Sequence, residues 1–265
     1  MKNTYKILFA LLLAVPFYSC EKFLEREPVG NSIFVDPADT VYKTANDVEA
    51  ALAGVYGDLK NEYWELDYFV NGDAQSDDAY AGADNPANFQ IDDYALNATN
   101  SNVSRDWGYL YTTIGKANLV ISNVDMVPDP NLSDQRKNEI KGEASFIRAM
   151  MYFQAVQLWG DVPLQLIPIT TISAELLPII YPQLFPTRVP KEQVYEQIIA
   201  DLSFAKDNVK ATDLHKGFAT KGAANALLAK VYATMEPHDW GKVSEYCDAV
   251  INGGYSLVPD YDMLW

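Results

Sequence analysis

Helical hairpins carried on long irregular loops, a mainly α fold, are what this sequence predicts, and three observations point there. Apolar residues recur at three- and four-residue steps in successive stretches after residue 45, the spacing that puts them on one face of an α-helix. All of these stretches but the one starting near Arg105 open on a capping residue or a proline, and glycine or proline closes several of them. The last two stretches together span Thr220 to Asn252, the length of one tetratricopeptide-type helical hairpin.

The first helix is expected to open at Asn46, with Glu49 three residues on in capping-box spacing, and to run through Leu59. A second runs from about Arg105 to Val124, where Trp107, Tyr111, Ile114 and Asn118 share a face and Pro128 and Pro130 close the segment. Ser133 or Asp134 caps the third. In it Ile140, Ala144, Ile147, Met151, Ala155 and Leu158 form the cleanest stripe of the chain, and Gly160 stops it. Pro190 sits at a first-turn position ahead of Val194, Ile198, Leu202 and Ala205. Thr220 caps the next helix, striped by Ala224, Leu228, Val231 and Met235. Asp239 caps the last, which Gly253-Gly254 ends.

Two stretches lack this pattern. Tyr63 to Ser104 mixes aromatics, acids, Gly and Asn. Asp161 to Val189 holds Pro163, Pro168, Pro178, Pro182 and Pro186, which forbid a long helix and predict an extended excursion with room for one short turn. Loops of this length within a folded domain usually serve a function.

The N-terminus reads as an address. Lys2 and Lys6 form a basic start, Ile7 to Tyr18 run apolar, and Ser19-Cys20 follow. That apolar run is too short for a spanning helix, which needs about twenty residues. It resembles a bacterial lipoprotein signal, with cleavage before an acylated Cys20; Phe17-Tyr18-Ser19 departs from the usual small-residue box. Residues 1–19 are the expected signal peptide, and 20–45 an extended anchor segment whose Glu21, Glu25 and Glu27 resemble a surface-export signal.

Composition narrows the function. The 265 residues carry 36 acids against 20 Lys and Arg, a net charge of −16, which argues against nucleic acid as a partner. With 49% hydrophobic residues the chain can bury a core. Two Cys make no disulfide framework, and His215 and His238 stand apart from any Cys pair, so no zinc site is expected.

Gly142-Glu143-Ala144…Arg148-Ala149, then Tyr152-Phe153 and Leu158-Trp159-Gly160-Asp161-Val162-Pro163, resemble the signature of the SusD/RagB family of outer-membrane glycan-binding lipoproteins. Further blocks follow in order: Val189-Pro190-Lys191-Glu192-Gln193-Val194-Tyr195, Ala219-Thr220-Lys221-Gly222-Ala223-Ala224, Trp240 with Ala249-Val250-Ile251, and Gly254-Tyr255-Ser256-Leu257. Cys20-Glu21-Lys22-Phe23-Leu24-Glu25 looks like the family's mature start. The resemblance implies a SusD-like α superhelix without enzymatic activity. It would be lipid-anchored at the outer membrane, presenting oligosaccharide or another nutrient to a SusC-type TonB-dependent transporter. Members of the family are much longer, so 46–265 looks like the N-terminal helical domain of such a protein.

Within Asn71 to Phe89, aromatics alternate with carboxylates and amides, the mixture that neutral glycans need for stacking and for bonding their hydroxyls. Asp77, Asp78, Tyr80, Asn85 and Phe89 are therefore the ligand-binding candidates, the first two also matching an acidic step of the family. A solvated acidic loop is the competing reading. Trp64 and Tyr68 are expected in the core rather than on a platform. Glu143 and Arg148 flank an apolar stripe and read as a structural ion pair or loop anchor. No cofactor is expected. A Ca²⁺ loop starting at Asp73 lacks Gly at its sixth position and Glu at its twelfth, leaving only a looser oxygen cage. The alternatives to a binding lipoprotein are a surface glycoside hydrolase using two loop carboxylates and a scaffold lipoprotein that only docks the transporter.

Overall fold

The structure, a computed structural model, describes residues 41–81, 85–170, 172–212 and 217–264. All belong to the second of two units into which the chain divides, Val35–Trp265. The expected signal peptide, Cys20 and the acidic start after it lie outside the described residues, as do Asp84 and His215.

Helix α1 (Ala45–Gly57) is capped by Thr44, not by Asn46. Two capping boxes overlap in the sequence, and the earlier one closes: Asp47 N–H donates to Thr44 Oγ1 at 3.2 Å, while Thr44 and Lys43 N–H donate to Asp47 Oδ2 at 2.8 and 3.0 Å. Tyr63 to Ser104 is more helical than its composition predicts. It holds a π-helical turn (Tyr63–Asp67), the short α2 (Tyr68–Gly72) and α3 (Pro86–Asp92). Helix α4 (Ser101–Asn123) starts four residues before Arg105, because the Asn100 side chain accepts from the backbone of Asn102 and Val103.

Helix α5 (Asp134–Trp159), capped by Ser133, packs against α4. Ile140, Ala144, Ile147, Met151 and Ala155 of its expected stripe have no exposed surface; Leu158 is 37% exposed and leaves the core. Gly160 ends the helix at φ +69°, a left-handed conformation that costs a side-chain-bearing residue strain. Each large side chain buried this fully contributes roughly 1.5–3 kcal/mol.

The excursion after α5 is stapled to the helices by backbone-directed bonds. Val189 N–H donates to Val162 O at 3.0 Å, and Tyr111 Oη to Pro163 O at 2.7 Å. Asn118 Nδ2 and Tyr152 Oη both reach Gln165 O, at 2.8 and 2.7 Å. Among its described residues the excursion carries the short helix α6 (Leu177–Leu184), despite two prolines. Pro178 falls in the first turn, where an N–H would lack a partner anyway, so only Pro182 forfeits a helical bond.

Helices α7 (Lys191–Asn208), α8 (Lys221–Thr234) and α9 (Trp240–Ile251) complete the series: α7 packs on α5, α8 on α7, and α9 on α8. Thr220 and Asp239 cap α8 and α9 as expected. Glu143 and Arg148 are both buried, but they do not pair with each other. Arg148 binds Asp201 and Asn118, while Glu143 accepts from Arg136 at 2.8 Å and from Tyr56 Oη at 2.9 Å. Both anchor helices to their neighbours.

Candidate functional site

Tyr63, Trp64, Tyr68 and Phe69 lie within seven residues, and successive helical positions point about 100° apart, so one face cannot bury them all. Tyr63 goes inward, 1% exposed, and its hydroxyl donates to Gln154 Oε1 on α5 at 2.9 Å. Trp64 is half-buried and stacks on Tyr68 with ring centroids 5.7 Å apart. Tyr68 and Phe69 stay in solvent, 36% and 55% exposed. The expectation that Tyr68 lies in the core is corrected: Tyr63 already fills the inward position.

Tyr68 and Phe69 form one wall of an open cleft of about 460 Å³. Asn71, Asp73 and Gln75 continue that wall; Gln154, Gln157 and Leu158 from the end of α5, with Lys230 of α8, line the rest. Aromatic faces thus stand among four amides, one carboxylate and one ammonium. Such a surface can stack on the C–H face of a sugar ring and bond its hydroxyls.

Beneath the wall lies a buried charged cluster. Asp67 and Asp106 are 0% and 1% exposed. The Arg105 guanidinium binds Asp67 Oδ2 and reaches Glu62 at 3.0 Å. Asn71 Nδ2, on the cleft wall, donates to Asp106 Oδ2 at 3.1 Å. Burial, and then the bond to the neighbouring Asp67 carboxyl, push the Asp106 carboxyl up to about 7.

The sequence-derived candidates sit on the chain leading away from this cleft, and none of them lines it. Asp77, Asp78 and Tyr80 are exposed, Tyr80 by 78%. Asn85 is the N-cap of α3, accepting from Ala87 N–H at 3.0 Å, and Phe89 is half-buried in that helix. The loop is held from the end of α3 and just past it: Asp92 Oδ2, on the last residue of α3, accepts Ala81 N–H at 2.9 Å, and the Tyr94 hydroxyl donates to Gln75 O. Tyr94 itself has φ +53° and a ring 73% exposed. Sequence reasoning did not single out Phe69, Gln154 or Gln157, and it took Asn71 only as the start of the Asn71–Phe89 loop. The signal available was the run of adjacent aromatics, which one-sided burial cannot accommodate. Among the described residues no three His, Cys, Asp or Glu side chains gather around one metal position, and no helix is long and apolar enough to cross a membrane.

The family model described as "Starch-binding associating with outer membrane" matches residues 22–233, and the chain belongs to this SusD-like family. It is 31% identical over 272 residues to SusD-like protein P2 of Formosa agariphila, covering 98% of this chain and 49% of the relative. It is 29% identical over 278 residues to a SusD-like protein of Bacteroides ovatus, covering 98% and 46%. The chain thus spans about half the length of these relatives. Among solved structures, a laminarin-binding SusD-like protein superposes with a TM-score of 0.71 at 27% identity, over 84% of this chain and 48% of that one. A structure with xylogluco-oligosaccharide gives 0.63 at 28%, over 82% and 42%. The family is one of carbohydrate binding rather than catalysis.

Proposed function

We propose that this chain captures oligosaccharide at the outer membrane through the Tyr68–Phe69 cleft and the loop beyond it. The observation that carries this reading is the cleft itself, where exposed aromatic faces stand among amides on a helical scaffold. The laminarin and xylogluco-oligosaccharide bound by relatives define the first ligands to try. Asp73 is the one carboxylate lining the cleft among the described residues, so the acid and base of a glycoside hydrolase are not paired there. A lipid anchor on Cys20 would hold the protein at the membrane, and a SusC-type TonB-dependent transporter would receive the ligand. The acidic loop from Asp77 to Tyr80 would extend the contact surface.

The test is calorimetric titration of the purified chain with laminarin- and xyloglucan-derived oligosaccharides, beside a reducing-end assay. Expected are dissociation constants in the micromolar to millimolar range, or about −4 to −8 kcal/mol, without release of reducing ends. Tyr68→Ala or Phe69→Ala should each remove about 0.5–1.5 kcal/mol of stacking, roughly 2- to 12-fold in affinity. Binding that survives both substitutions unchanged would remove the cleft from this role, and release of reducing ends would overturn the binding-only reading.

A further inference from the structure

Asp67 and Asp106 stand on different elements, the π-helical turn and α4, yet their carboxyl groups meet in the interior under the cleft wall. Each has one oxygen engaged: Arg105 takes Asp67 Oδ2, and the Asn71 amide takes Asp106 Oδ2. The other oxygen of each, Asp67 Oδ1 and Asp106 Oδ1, is buried without a hydrogen-bond donor. A buried acceptor left without a donor costs free energy, and two carboxylates in contact cannot both remain ionised at little cost. One proton removes both problems, because a protonated Asp106 donates to Asp67 and the cluster of two acids and Arg105 becomes neutral.

We propose that Asp67 and Asp106 share one proton that positions Asn71 and the Tyr68–Phe69 wall, so that glycan capture weakens as this proton is lost. The step is a simple acid dissociation: the Asp106 O–H bond breaks, the proton passes to solvent, and its electron pair stays on the carboxylate. What remains is a buried pair of like charges facing one guanidinium. Among the described residues, Arg105 is the cation that acts on Asp106. The π-helical turn contributes Asp67 and the Tyr63 hydroxyl, and Tyr68 lies beside Tyr63. Glu62, just before that turn, shares Arg105 with Asp67. On α3, Asp92 is engaged with Ala81, and from α5 the neutral Gln154 meets Tyr63. Repulsion is relieved by moving the wall, since Asp67 and Asn71 both belong to the short segment 63–72, whereas Asp106 is fixed in the 23-residue α4. The Asp106 carboxyl titrates close to neutrality, which places the change within an ordinary working range.

Asp106 is on this account a positioning residue, acting through Asn71, and its effect on capture rests on the proposed binding role of the cleft. The experiment follows hydrogen–deuterium exchange of segment 63–72 from pH 6 to 8.5, corrected for the intrinsic pH dependence, together with oligosaccharide affinity over the same range. In the unsubstituted protein, protection of 63–72 should fall at least threefold through neutral pH while α5 and α7 hold theirs, and the dissociation constant should rise by a similar factor. Asp106→Asn keeps an acceptor for Asn71 and supplies a permanent donor to Asp67, so both profiles should become flat. Flat protection in the unsubstituted protein, or an unaltered pH profile in Asp106→Asn, overturns the proposal. If Asp106→Asn fails to fold, the unsubstituted profile decides alone. Absence of glycan binding at every pH would sink the binding role, while the exchange profile would still judge the shared proton.

Discussion

Arg148 on α5 grips Asp201 on α7 with two parallel bonds, Nε to Oδ2 at 2.8 Å and Nη2 to Oδ1 at 2.6 Å, with both side chains almost wholly buried. Its remaining nitrogen, Nη1, donates to Asn118 Oδ1 on α4 at 2.8 Å, and Asn118 in turn holds Gln165 O of the excursion. One guanidinium therefore ties three helices and the loop after α5. Arg148→Ala strands the Asp201 carboxylate in the interior, and a loss of about 3–5 kcal/mol is expected in urea unfolding. Arg148→Lys should recover only part, since an ammonium cannot reproduce the planar double bond.

Tyr56 plays a smaller version of the same part. Its hydroxyl donates to Glu143 Oε2 at 2.9 Å and accepts from Ala219 N–H at 2.9 Å, linking α1 to α5 and to the approach to α8. Tyr56→Phe leaves a part-buried N–H and a carboxylate oxygen without this partner, so about 1–3 kcal/mol should be lost in the same unfolding assay. A measured change below a few tenths would mean that solvent takes over both bonds.

The Asp106 carboxyl gives the fold a pH dependence whose sign can be worked out. Unfolded, the group releases its proton near the ordinary aspartate value; folded, it holds on until about 7. Between those values the unfolded chain binds fewer protons than the folded one, so the contribution of Asp106 lowers stability as pH rises from about 4 to about 7 and is constant above. Comparing Asp106→Asn with the unsubstituted protein isolates it. The variant's relative melting temperature should climb steadily from pH 4 to 7 and then level off. A difference that does not vary with pH would show that Asp106 is ionised throughout.

Two glycines should respond in opposite directions. Gly160 ends α5 at φ +69° with nothing near enough to clash with a Cβ, so Gly160→Ala should cost about 1–3 kcal/mol of backbone strain alone. Gly54 lies inside α1, three residues before its end, with open space around it, and Gly54→Ala should stabilise by about 0.5–1 kcal/mol. Chemical denaturation of the two variants side by side tests both signs.

The helices that sequence reading anticipated are those whose logic is local. The stripe from Ile140 to Ala155, the Ser133, Thr220 and Asp239 caps and the stop at Gly160 all follow from residues a few positions apart. Even there, Thr44 displaced Asn46 as cap because Asp47 returned two bonds to the backbone before it. The cleft was less legible because its wall depends on distant residues. Asp67 is buried on account of Arg105, 38 positions away, and Tyr63 is drawn inward by Gln154, 91 positions away. No periodicity in Tyr63 to Ser104 encodes those partners. The loop candidates Asp77, Asp78 and Tyr80 were chosen for chemistry, and the structure sets them in solvent beside the cleft rather than inside it.

The loop from Gln75 to Ala81 is fastened through its own backbone, at Gln75 O by Tyr94 just after α3 and at Ala81 N–H by Asp92, the last residue of α3. In between, the side chains of Asp77, Asp78 and Tyr80 are exposed, and the local turn is made by Ser76. Such a segment behaves as an exchangeable cassette. The outer side chains can be replaced together while the frame keeps its shape, so the surface offered to a new ligand can be rewritten without redesigning the helices beneath it.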